Sequence, residues 1–244
     1  MTYGVDYSFD RPSPVCLKSK GWWFACRYFG PGSGKLATPA EVKAIHAAGL
    51  SVVALAEGYA RDALLGYEKG AEHARMADTA AFQAGMPNDR PIYFAVDFDM
   101  TVAQRPAVRA YLKGCADVMG AERVGVYGGI RTTEWAWQNR YAAWVFQTYA
   151  WSNGVWGDHA YLRQFSNNRA ACGGTVDLCY ATVTDWGQWP HAKETIGPAP
   201  SAPAPVVTSG PWDFRPEIQG IGNDLNNHST RTRSFSSIMD GLRR

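Results

Sequence analysis

Asp97 and Asp99 close the run Pro91–Thr101 (PIYFAVDFDMT), two carboxylates one residue apart after an apolar stretch. Side chains at i and i+2 of an extended chain share a face. The spacing therefore predicts that both acids point the same way, with Phe98 opposite and their Cα atoms roughly 6.5–7 Å apart. A pair with that reach can flank a glycosidic bond, one acid donating a proton and the other serving as stabiliser or base. The same pair could hold Mg²⁺, or simply stand in water where a strand has ended. Three further acids bear on the choice: Asp6 in GVDYS, Glu57 in SVVALAEG and Asp177 in TVDLCYA, each at or near one end of an apolar, strand-type run. Carboxyls that converge raise one another's pKa, which is how a carboxyl is kept protonated as a general acid.

Convergence requires a scaffold that gathers strand ends. Strand patterns at Tyr3–Ser8, Phe24–Phe29, Ser51–Gly58, Pro91–Asp99 and Arg123–Gly129 alternate with helical patterns at Thr38–Gly49, Tyr67–Met86, Val102–Gly120 and Arg131–Arg140. Thr38 reads as an N-cap with Pro39 at the first helical position and Glu41 closing a capping box. Ala142–Ala150, Tyr161–Ser166 and Thr175–Ala181 read as three more strands with little helix between them. Strands alternating with helices predict parallel pairing, and eight of them a shortened (β/α)8 TIM-like barrel with irregular last repeats. A doubly wound open sheet is the runner-up. In a barrel the chemistry sits at the carboxyl ends of the strands. That places Tyr28, Tyr127, Gln147, Tyr149 and Gln164 beside the acids as substrate-binding residues, with Trp151 and Trp156 as further stacking walls. Ten tryptophans in one chain suit flat sugar faces as well as a core.

Composition narrows the partners. A formal net charge of +2 without any long run of like charge gives no reason to expect nucleic acid or an anionic membrane. No stretch approaches 18 uninterrupted apolar residues, and the first residues lack a cationic, apolar leader. The five His and five Cys show neither H-E-x-x-H nor C-x-x-C, so no metal and no cofactor is expected. The cysteines read as free thiols, with a Cys172–Cys179 bridge as the alternative.

Five segments resemble a known family. GVDYS at Gly4–Ser8, CRYFGPGSGKLATPAEV at Cys26–Val42, PIYFAVDFD at Pro91–Asp99, VGVYGG at Val124–Gly129 and VDLCYA at Val176–Ala181 are similar to the glycoside-hydrolase-like domains of the domain-of-unknown-function 1906 family. That family, of actinobacteria and their phages, is similar in turn to the family 25 lysozymes. The resemblance spans about residues 1–190. It implies a barrel acting on cell-wall glycan, with Asp6, Asp97, Asp99 and Asp177 on the muramidase carboxylate positions. Where muramidases carry the Glu of D-x-E, this chain has Asp99, so Asp99 or Glu57 is expected as general acid, Asp97 as stabiliser or base. The alternative is a barrel without turnover that binds wall polysaccharide as a structural component.

After Pro190 the composition shifts. Residues 191–211 read as a Pro/Ala/Ser linker and 212–244 as a short docking or disordered tail, too small for its own core. A leaderless, wall-directed protein with such a tail is expected to be virion-associated, in a phage tail, or released by a non-classical route, and otherwise cytoplasmic.

Overall fold

A computed structural model describes residues 1–190. Short β-branched and aromatic runs form the strands β1 (Thr2–Asp6), β2 (Phe24–Tyr28), β3 (Ser51–Ala56), β4 (Ile92–Ala95), β5 (Val124–Gly128), β6 (Trp144–Thr148), β7 (Leu162–Ala171) and β8 (Gly174–Ala181). They close into a barrel in sequence order. Helices α2 (Pro39–Ala47), α3 (Tyr67–Gln83), α4 (Arg105–Met119) and α5 (Ile130–Gln138) alternate with β2–β6. A short helix unforeseen from sequence, α1 (Pro14–Ser19), follows β1. Thr38 caps α2, its side chain accepting from the Glu41 N–H at 3.1 Å. Glu41 closes no capping box. Its carboxylate instead meets buried Arg27 at 2.7 Å and Arg11 at 3.1 Å.

β1 to β7 run parallel, but β8 is antiparallel to both β7 and β1. This departs from the all-parallel pairing expected, because two residues between β7 and β8 permit a hairpin and no crossover helix. The reversal matters for the site. The start of β8, with Asp177, lies level with the carboxyl end of β1, where Asp177 pairs with Asp6.

Strand alternation fills the barrel with Phe24, Cys26, Val53, Leu55, Tyr93, Phe146, Leu162, Cys179 and Ala181, closed beneath by Trp186. Gly4 and Gly125 give the rings of Phe24 and Tyr93 their room; a Cβ at either would strike the neighbouring ring. This apolar plug is the floor on which the polar residues of the carboxyl end stand.

The cysteines depart from the free-thiol reading. Cys16 of α1 is bridged to Cys172 in the β7–β8 turn, with Cα atoms 5.6 Å apart. Cys26, Cys115 and Cys179 are free and buried.

Candidate active site

The inward parity set by Cys26, Leu55, Tyr93, Phe146, Leu162 and Cys179 continues one step upward on each strand. That step brings Asp6, Tyr28, Glu57, Tyr127, Thr148, Gln164 and Asp177 around one mouth, and on β4, where Ala95 holds the step above Tyr93, Asp97 follows two residues later. The part of the cleft between the β1 loop and the β7–β8 hairpin has a volume of about 260 Å³ and is lined by Asp6, Tyr28, Phe9, Asn168 and Asp177 among others.

Hydrogen bonds fix one half of the ring. The Gln164 amide donates to Asp6 Oδ2 at 3.2 Å and to Asp177 Oδ2 at 3.0 Å, and its oxygen accepts from the Tyr127 hydroxyl at 2.8 Å. The Asn168 N–H donates to Asp177 Oδ1 at 2.8 Å. Burial and the neighbouring Asp177 push the Asp6 carboxyl well above the usual carboxylate range, against a smaller opposing effect of Arg27. Asp6 Oδ1 has no hydrogen-bond partner. Burial also raises Asp177, while the Asn168 N–H opposes it.

The other half of the ring is charged. Asp97 lies beside Glu57, and burial together with that neighbour raises its carboxyl to about 6, against a smaller opposing effect of Lys35. Lys35 Nζ donates to Glu57 Oε2 at 2.6 Å and to the Gly58 carbonyl at 3.2 Å. Its ammonium lies 4.9 Å from the centroid of the Tyr28 ring.

Asp99 does not join the ring as the D-x-D spacing predicts. β4 ends at Ala95 and its last hydrogen bond to β5 is made by the Val96 N–H, which leaves Asp97 one residue and Asp99 three residues past the paired chain. Its side chain is 44% exposed on the rim and pairs with Arg131 at 3.5 Å. Gln147 occupies the outward parity of β6; its buried amide donates to Ser152 Oγ at 3.0 Å and accepts from the Gly157 N–H at 2.8 Å, tying a loop rather than lining the mouth. Trp156 lies against Arg163 and Tyr180, whose positions on β7 and β8 alternate with the inward Gln164 and Cys179, so it packs outside the barrel. Trp151 is half-buried, in the left-handed region at φ 56°, with its Cβ close to Gly129. Tyr149 stands exposed after β6, while Tyr28 and Tyr127 are half-buried in the wall.

Two residues of the ring escape a reading of the sequence. Lys35 follows the glycine-rich run directly after β2, and its signal was a lone cation aimed at an acid-rich end. Thr148 is one step above inward-facing Phe146, close to Tyr127; alternation alone identifies it.

Converging carboxyls in a half-buried mouth are hydrolase-like, and the chain's relatives agree. Residues 15–185 match the Rv2525c-like, glycoside hydrolase-like domain. The chain belongs to that family. It is 28% identical over 199 residues to the "Putative peptidoglycan hydrolase Rv2525c" of Mycobacterium tuberculosis, covering 76% of this chain and 82% of the relative. The crystal structure of that Tat-secreted protein with L-tartrate superposes with a TM-score of 0.73 at 26% identity, over 77% of this chain and 98% of the other. An uncharacterized B. stearothermophilus protein has a TM-score of 0.56 at 18% identity, covering 74% and 96%. A muramidase from Acremonium alcalophilum has a TM-score of 0.52 at 14% identity, covering 75% and 94%. These last two share the fold.

Proposed function

We propose that the protein hydrolyses glycosidic bonds of bacterial cell-wall glycan, with Asp97 as general acid and Glu57 as the carboxylate partner. The observation that carries this reading is the Glu57–Asp97 contact inside a ring of further acids at the barrel's carboxyl end. An acid held near 6 keeps its proton under mildly acidic conditions and can pass it to a leaving oxygen. The Glu57 carboxylate beside it can stabilise the positive charge that develops on the sugar as the bond breaks. Asp6 and Asp177, both held by the Gln164 amide, line the same mouth. The peptidoglycan-hydrolase description of the mycobacterial relative supports the same substrate class.

Asp99, expected from sequence as the general acid alongside Glu57, has the rim position of an outer contact in this reading, and Asp97, expected as stabiliser or base, takes the donor's role. The test is reducing-end release from purified actinobacterial peptidoglycan. Turnover should fall as pH rises through about 6, drop by about 10²-fold or more in Asp97→Asn, and change little in Asp99→Asn. Glycan binding without turnover at any pH would favour the non-catalytic module instead.

We further propose that the protein works outside the reducing cytosol. The Cys16–Cys172 bridge supports this, since such bonds persist in oxidising surroundings. Attachment to a phage tail or similar assembly through residues 212–244 rests on that segment's composition alone, and those residues lie outside the described ones. Loss of co-purification with virion proteins on deleting 212–244 would support it; unchanged co-purification would end it.

A further inference from the structure

Two carboxyls side by side can share one proton, and they titrate as a pair unless something distinguishes them. In this cleft one cation touches only one of the two. Lys35 Nζ is 2.6 Å from Glu57 Oε2 and spends a second donor on the Gly58 carbonyl at 3.2 Å. Lys35 is only 7% exposed, so the ammonium is fixed and poorly screened. Opposite charge at contact distance favours the ionised form of the group it touches. Asp97 has no cation at contact distance. Among the described residues it faces Glu57 and, from β8, Asp177, and the Lys35 charge reaches it too, opposing the rise that burial and Glu57 cause. The other titratable groups around the pair are Asp6 on β1, Tyr28 on β2 and Tyr127 on β5, with Tyr111 of α4 farther out beyond Glu57.

We infer that Lys35 is a positioning residue that places the single proton of the Glu57–Asp97 pair on Asp97 and leaves Glu57 as the anion. The inference rests on the proposed hydrolytic role of this pair and assigns its acid and base. Replacing Lys35 by a neutral residue removes the distinction. Both carboxyls then hold the proton in part, and the pair gives it up at higher pH because a neighbouring cation is gone.

The test follows the side-chain carboxyl carbons of Asp97 and Glu57 by ¹³C NMR from pH 3 to 9 in the full chain, without substrate, with assignments from Asp97→Asn and Glu57→Gln. In the parent protein the Asp97 carbon should move through a transition near 6. In Lys35→Met both carbons should move through one common transition, about one pH unit or more higher. Lys35→Arg should restore the parent pattern. A folded Lys35→Met protein in which Asp97 keeps the parent's midpoint would overturn the inference. Should Lys35→Met fail to fold, Glu57→Gln decides: removing the anion should lower the Asp97 midpoint by about one pH unit, and an unchanged midpoint overturns the pairing. These spectra do not depend on turnover. Absence of peptidoglycan cleavage alongside the expected titrations would defeat the hydrolase reading and leave the proton placement standing.

Discussion

Asp97 shows at the scale of a single residue how a site is stabilised by its surroundings and strains them. Its carboxyl titrates near 3.8 in an open chain and near 6 in the fold, raised by burial and then by Glu57. The folded state therefore binds this proton more tightly than the unfolded state. The stability it contributes is present below about 4, declines as pH rises through about 6, and is absent at neutral pH. Asp177 and Asp6 are raised in the same direction and add to the same slope. Asp97→Asn removes an uncompensated anion, so the variant should be more stable than the parent at pH 7, on the order of 1–3 kcal/mol after allowing for the solvent this half-buried group retains. At pH 4 the gain should vanish. Thermal melts of both proteins at pH 4, 5.5 and 7 measure it, and an equal melting temperature at pH 7 would contradict the raised pKa. The acids themselves were legible as residue types. What the sequence could not show was where β4 stops. One missing ladder step sends Asp99 to Arg131 and leaves Asp97 with Glu57 from the neighbouring strand.

At the scale of elements, periodicity and capping identified eight strands and four of the helices because each is a local pattern. The β7–β8 hairpin was not legible as such, since a strand of either direction carries the same alternation. The hairpin is a wall of the cleft, and it is held from outside. Asp10 accepts from the Thr175 N–H at 2.6 Å, the Ser13 N–H donates to the Cys172 carbonyl at 2.9 Å, and Cys172 is bonded to Cys16 across 156 residues of sequence. Such pairing is hidden from sequence because it depends on which loops meet. Closing so long a loop constrains the unfolded chain strongly. Cys16→Ser should cost about 2–5 kcal/mol, a drop in melting temperature of ~2–4 °C for each kcal/mol. Because Asn168 on the same hairpin orients Asp177, the variant should also lose turnover at temperatures where it remains folded. Activity assayed well below the new melting point, with and without reductant for the parent, checks this. Full activity in the reduced parent would mean that the hairpin keeps its geometry through its backbone bonds alone.

For the whole molecule the question is where the barrel stops needing chain. The strands end at Ala181, yet the next nine residues are structural. Trp186 plugs the floor and accepts from the Tyr93 hydroxyl through its carbonyl at 2.8 Å. Trp189 exchanges backbone hydrogen bonds with Val52 at 2.7 and 2.9 Å, is 2% exposed, and packs beside Phe29. The Pro190 carbonyl accepts from Ser51 Oγ at 3.3 Å. The described core thus uses the chain as far as Pro190, the residue after which the composition changes. Two truncations separate this from a boundary drawn at the last strand. A chain ending at residue 190 should melt within a few degrees of the full-length protein and keep its peptidoglycan turnover. A chain ending at residue 185 loses two buried tryptophans, each worth about 3–5 kcal/mol, against a total stability of about 5–15 kcal/mol for a domain. It should be unfolded or nearly so by circular dichroism. A stable, active 1–185 fragment would show that strand closure alone supports the cleft. An unstable 1–190 fragment would show that the segment beyond it is part of the folding unit.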